Sequence, residues 1–168
     1  MSIGTLKEGP LHASLKDYYS TNLSKKEVGI GKFVVDILSD DIIYEIQTSS
    51  FSGLNRKLKY LLKENQVVLV HPIAVSSIIA KKENDHTKKV TYRRSPKTGD
   101  FSDIIKELVY IPKLIDNPRF SIEIILIEER INRVFDSKLR RKRGGWRTIN
   151  RELTNIIETK RISSSEDI

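Results

Sequence analysis

The stretch Val34–Thr48, VVDILSDDIIYEIQT, limits the fold more tightly than any other part of the chain. Its β-branched and aromatic residues favour strand, and the adjacent pair Asp40 and Asp41 suits the left-handed backbone of a two-residue hairpin turn. With that tip, Leu38 faces Ile43, Asp36 faces Glu45 and Val34 faces Gln47. Alternation then puts Val34, Asp36, Leu38, Ile43, Glu45 and Gln47 on one face, with Val35, Ile37, Ile42, Tyr44 and Ile46 on the other. Apolar residues on both faces are the pattern of a sheet covered on both sides. The acidic pair is therefore expected to be at least partly buried.

Opposed carboxylates with Cβ atoms about 5 Å apart repel each other, and desolvation adds to the cost, so the pair needs a proton or a cation. A divalent metal meets that need. Oxygen ligands from Asp36 and Glu45, completed by waters and a substrate phosphate, suit Mg²⁺, which usually takes only one or two protein carboxylates. Two blander arrangements compete: a solvated hairpin whose charges do nothing, and a register slipped by one residue that separates the pair.

Around this hairpin the order of elements is readable. Pro10 followed by Leu11, Leu15 and Tyr19 predicts a helix with proline in its first turn, ending near Ser20–Asn22 and carrying Glu8 at its amino end. Residues Glu27–Leu38 and Ile42–Thr48 read as strands, with Gly29 and Gly31 marking a bend. Phe51, Leu54, Leu58, Leu61 and Leu62 recur at helical spacing, and Val67–Ile73 follows as a short buried strand ended by proline. The polar, basic segment from Lys81 to Asp100 reads as a hairpin or linker. Beyond it, Ile104, Ile105, Leu108 and Val109 form a helical face, while Phe120–Phe135 looks extended, although IEIILIEERI also fits a helix. A last helix is expected from Thr148, burying Ile149, Leu153, Ile156 and Ile157, with a disordered tail at 163–168.

The expected class is α/β: a central mixed sheet flanked by helices, in the order αβββαβ over residues 1–80. A basic α+β extension over 101–162, winged-helix-like in outline, follows the 81–100 segment. The chain has 168 residues with 30 Lys and Arg against 22 Asp and Glu, a formal charge of +8. That balance favours an anionic partner, nucleic acid or an acidic membrane surface. There is no cysteine, which excludes disulfides and thiolate zinc sites. The amino end lacks a signal-peptide pattern and no apolar run approaches a bilayer's thickness, so a cytoplasmic protein without a membrane segment is expected.

Helix, bent strand, hairpin carrying Asp36 and then Glu45-Ile46-Gln47, helix, buried strand: this order resembles the core of the restriction-endonuclease-like PD-(D/E)XK nuclease superfamily. The resemblance covers roughly residues 5–75. It implies that Asp36 and Glu45 are metal ligands, that Glu8 matches the acidic residue often found on the first helix, and that the cofactor is Mg²⁺ or Mn²⁺. Gln47 departs from the pattern, standing where lysine is usual. An amide can hydrogen-bond an attacking water but cannot take its proton, so Gln47 would orient the water, as in similar members that carry glutamine. Lys57 or Lys59 on the next helix could supply the compensating cation.

DNA is the partner this reading implies. Arg56, Lys57 and Lys59 are placed to follow a phosphate backbone, against the blander reading of a solvated helix face. The run KLRRKRGGWR adds Arg140, Arg141, Lys142, Arg143, Trp146 and Arg147, combining phosphate-neutralising charge, glycine freedom and one stacking surface. Its alternative is a solubilising loop with Trp146 packed on the domain. His12 and His71 lie near the expected site. The expected activity is metal-dependent hydrolysis of DNA phosphodiester bonds, in a homodimer if both strands are cut. Two readings stand beside it: a nuclease-like nucleic-acid binder that has lost catalysis, and a protein-interaction module.

Overall fold

The computed structural model describes residues 8–83, 88–139 and 144–168. Seven strands form one mixed sheet in the order β1-β2-β3-β4-β6-β7, with β5 paired to β4 off this path. Helix α1 (Pro10–Tyr19) is followed by β1 (Lys25–Ile30), β2 (Phe33–Ser39), β3 (Ile42–Ile46), α2 (Leu54–Leu61) and β4 (Gln66–Lys82). Then come β5 (Val90–Arg94), the short α3 (Ile105–Leu108), β6 (Phe120–Phe135) and β7 (Trp146–Ile162). The fold is α/β, with few helices for so large a sheet. No helix among the described residues is long and apolar enough to cross a membrane.

The two long helices cover opposite faces. Leu11 and Leu15 of α1 pack with Val68 and Val70 of β4 and Ile125 and Ile127 of β6. Leu58 and Leu61 of α2 pack with Val67, Leu69, Ile122 and Ile124 on the other side. The hairpin tip is where the sequence predicts it, with Asp40 and Asp41 at φ 48° and 64° and Leu38 opposite Ile43. Gly31 turns β1 into β2 at φ 57°, and a Cβ there would collide with the Tyr60 ring, so glycine is required on both counts.

Strand β4 does not stop at Pro72, as expected, but runs ten residues past it. The reason lies in its neighbours. Pairing with β3 ends at Val70 and pairing with β5 starts at Ile78. The carbonyls of Val70 and Ala74 point to that edge, accepting from Gln47 and Gly99 N–H, so by alternation the missing N–H of Pro72 faces the gap and costs no ladder bond. The 81–100 segment supplies β5, which folds back antiparallel on β4. Strand β6 runs parallel to β4 from Val67↔Phe120 to Lys82↔Val134, so residues 101–162 extend the same sheet.

The helix expected at 148–157 is instead strand β7, and without it there is no winged-helix-like unit. Pairing with β6 skips a β7 residue three times, between Leu126 and Ile127, between Glu128 and Glu129, and between Asn132 and Arg133. Each bulge resets the in–out alternation, so Leu153 and Ile156 both reach the α1 face at a spacing that imitates a helix. The last residues form a 3-10 turn rather than a disordered tail: Asp167 accepts from Ser163 and Ser164 N–H, and Asp116 accepts from Ser165 N–H.

Truncations separate the strand from the helix. Leu58→Ala, deep in the α2 face, should cost about 2–5 kcal/mol of unfolding free energy. In β7, Ile156→Ala should cost more than Ile157→Ala, because Ile156 packs against the α1 cluster and Ile157 is 50% exposed; the second change should stay within about 0.5 kcal/mol. Equal losses in urea titrations would contradict the bulged register.

Candidate functional site

Where β2 leaves β3 the sheet opens into a fork. The β2–β3 ladder ends at Ile37↔Tyr44, while β2 stays on β1 through Val35↔Val28 and Val34↔Gly29, and β3 stays on β4 through Ile46↔Val70. Asp36 and Glu45 sit at the point of divergence. The freed N–H of Ile46 would otherwise lack a strand partner, and Asp36 Oδ2 accepts it at 2.8 Å.

The two acids do not share a face, as strict alternation would require. Leu38 and Ile43 pack on the α2 side, and so does Val35, three residues from Leu38. The alternation therefore breaks at the fork, and the Asp36 carboxylate turns toward α1. There His12 Nε2 lies 3.3 Å from Oδ2 and Lys16 Nζ 3.7 Å from Oδ1. Burial pushes the Asp36 pKa up, but His12, the Ile46 N–H and Lys16 outweigh it and hold the group below its ordinary value. Glu8 joins the same network through His12 Nδ1 at 2.5 Å and Lys16 Nζ at 2.8 Å, and Lys16 also pairs with Glu27. Burial lowers the His12 pKa, yet Asp36 and Glu8 together raise it above the usual histidine value.

Glu45 is 6% exposed and faces α2. Lys57 Nζ donates to its Oε2 at 2.6 Å and to the Val34 carbonyl at 2.7 Å, bridging the fork. Its Oε1 is buried and has no hydrogen-bond partner. Burial is the main cause that lifts the Glu45 pKa to about 7, with Asp36 adding repulsion and Lys57 opposing both. An orphaned carboxylate oxygen in a dry site costs free energy unless a cation meets it. Among the described residues no group of three or more His, Cys, Asp or Glu converges as a metal cage. Asp36 and Glu45 are hard oxygen donors, but their carboxylates turn to opposite faces of the sheet and each already meets a cation.

The remaining expected residues divide plainly. Gln47 does not aim its amide at the acids: Nε2 donates to Ser49 Oγ and the Ser50 carbonyl at 3.1 and 2.6 Å, while its own carbonyl accepts from His71 Nδ1 at 2.7 Å. Arg56 and Lys59 are exposed on α2, and Lys57 belongs to the fork. Trp146 stacks edge-on with Phe135 and lies under Lys81 Nζ at 4.4 Å from the ring centroid; Arg147 pairs with Asp136 at 3.7 Å. Arg140, Arg141, Lys142 and Arg143 lie outside the described residues. Lys16 escaped the sequence reading, although Glu8, His12 and Lys16 recur every four residues along one helix face.

The chain is 34% identical over 157 residues to an uncharacterized protein of Treponema pallidum (strain Nichols), covering 93% of this chain. It spans 62% of the length of that relative. No solved structure matches. A family model described as a domain of unknown function, DUF8091, matches residues 9–163. The chain belongs to this family.

Proposed function

We propose that this protein is a metal-dependent nuclease of the PD-(D/E)XK type that hydrolyses DNA phosphodiester bonds at the fork between β2 and β3. One observation carries the reading: the strands part at the two residues, Asp36 and Glu45, that the resemblance assigns to the metal, and leave a buried carboxylate oxygen without a partner. The order α1-β1-β2-β3-α2-β4, with β3 and β4 parallel, supports it. So does Lys57, which reaches Glu45 from α2 and can stand in for the lysine that Gln47 replaces.

Asp36 and Glu45 would hold Mg²⁺ or Mn²⁺, and Glu8, which pairs with His12 and Lys16, would join them only by exchanging those partners for the metal. When bound, the metal supplies positive charge to polarise a phosphoryl oxygen and lower the pKa of water. Lys57 places an ammonium beside the opening, where it can face a phosphate oxygen or the attacking water. His12, held between Glu8 and Asp36, can carry a proton at Nε2. A cytoplasmic homodimer would present two forks to the two strands of a duplex.

A nuclease-like binder without catalysis is the second reading. It is favoured by the cations already in place on each acid, His12 and Lys16 on Asp36 and Lys57 on Glu45, and by the Gln47 amide being engaged elsewhere.

Plasmid incubated with the protein and Mg²⁺ or Mn²⁺ distinguishes them. Nicking should require the metal, be lost in Asp36→Ala and Glu45→Ala, and fall about 10- to 100-fold in Lys57→Ala, which removes the partner of a metal-holding carboxylate. Plasmid left intact at every metal concentration, with binding preserved, selects the second reading.

The metal-free protein should also show the Glu45 burial in its stability. A folded pKa of about 7, above the ordinary 4.5, means that the folded state binds the extra proton between those values. Unfolding free energy should therefore fall as pH rises from 4.5 to 7, by up to about 3 kcal/mol from this group. Glu45→Gln should remove that component, and denaturant titrations of both proteins across the range measure it. Identical pH slopes would refute a dry Glu45.

A further inference from the structure

At the far end of the sheet, on the same face as Asp36, three strands bring together cations that pair with no carboxylate among the described residues, and a fourth adds an indole. Strand β6 pairs without bulges of its own, so Arg133 and Phe135 follow Ile125, Ile127 and Glu129 on the α1 face. Lys81 lies directly opposite Arg133, and Arg93 sits opposite Ile79, two positions from Lys81 on that side. Trp146 lies opposite Phe135 and under the Lys81 ammonium.

Like charges directly across a ladder destabilise it, and among the described residues no carboxylate is paired with these cations. Glu129 is taken by Arg151 and Asp136 by Arg147. Among the described residues no carboxylate forms an ion pair with Lys81, Arg93 or Arg133, and the Arg133 Nε is buried without a partner. Burial, with Arg93 and Arg133 nearby, holds the Lys81 pKa below its ordinary value. Three cations fixed on rigid strands beside an indole form a site built for an external anion that carries phosphate and a stacking surface.

Its position selects the anion. The fork lies level with Val70 of β4, which pairs with Ile46. At about 3.3 Å per residue, Lys81 stands roughly 35 Å farther along the same strand, close to one helical turn of B-form DNA, about 34–36 Å. We propose that Lys81, Arg93 and Arg133, with Trp146 beside them, grip the phosphate backbone of a DNA duplex about one helical turn from the fork. The inference rests on the reading of the fork as a site for DNA.

Fluorescence anisotropy of the full chain, with divalent metal chelated so that nothing is cut, tests it on duplexes of about 30 and about 8 base pairs, the longer one spanning more than a helical turn and the shorter one less. For the longer duplex, Lys81→Ala/Arg93→Ala should lower affinity by about eightfold per lost contact at about 0.1 M salt and flatten the log–log salt slope by about 0.9 for each. Arg133→Ala should act in the same direction, with its thermal midpoint measured alongside, while the exposed Arg93 gives a variant with little structural role. The shorter duplex cannot span the cluster and the fork together, so wild type should hold it more weakly than the longer one.

Equal binding of the longer duplex by wild type and Lys81→Ala/Arg93→Ala would overturn the proposal. Wild type that holds both lengths equally would too, and so would a loss seen only on vesicles of anionic phospholipid. Because this binding is read without metal, length-dependent gripping of DNA that is never cut would remove the nuclease reading and leave this site standing. Cutting that survives the substitutions with unchanged affinity would do the reverse.

Discussion

Glu45 is a carboxylate in the middle of a hydrophobic sheet, and its burial sets the terms for everything around it. A lone buried charge would cost several kcal/mol even after relaxation, so the strand that carries it needs a cation within reach. Lys57 provides that cation from α2, and the same ammonium takes the Val34 carbonyl where β2 has left its partner. One lysine thus ties the helix to both arms of the fork. On the opposite face His12 and Lys16 of α1 do the same for Asp36, whose other duty is to satisfy the Ile46 N–H. The two helices that close the hydrophobic clusters are also the two that neutralise the acids, so packing and electrostatics fix the same placement.

The arrangement is incomplete in one respect. Every polar atom of the fork named above has a partner except Glu45 Oε1, and the carboxylate answers by holding its proton to about neutrality. On the proposed reading, a divalent cation would meet that oxygen and take over part of the charge that Lys57 now neutralises. The lysines need not leave: ammonium groups displaced from carboxylates stay within reach of phosphate oxygens, which are the other ligands such a cation recruits.

Much of this was legible in the sequence, and the parts that were not share a cause. The hairpin tip and its register follow from Asp40 and Asp41 and the alternation around them, and the extent of β6 follows from its long β-branched run. These are local signals. The turn of Asp36 toward α1 is not local, because it depends on where β2 parts from β3, which β1 and β4 decide. Strand β7 misleads for a related reason: its bulges are set by pairing with β6, and they convert a period of two into the three-residue spacing of Leu153 and Ile156 that a helix would show. Pro72 looked like a stop because the vacancy beside it is created by strands that end and begin elsewhere.

The distant cluster was hidden most completely. Lys81, Arg93, Arg133 and Trp146 come from four different strands, and although Trp146 ends the basic run at 138–147 and Lys81 and Arg93 lie in the basic 81–100 segment, nothing local joins them to one another or to Arg133. The densest cations, at 138–143, stand next to it in sequence and attract the eye to a loop instead. A surplus of eight positive charges carries no position in the fold; the pairing of Lys81 with Arg133 gives one. With the fork at one end of β4 and unneutralised cations at the other, the α1 face is polarised along its length. A polyanion laid on it would find attraction at the far end and acidic groups at the fork, and it would approach the latter only where cations screen them. On the proposed reading, that polarity would give a phosphate backbone a preferred position along β4, set by the strands.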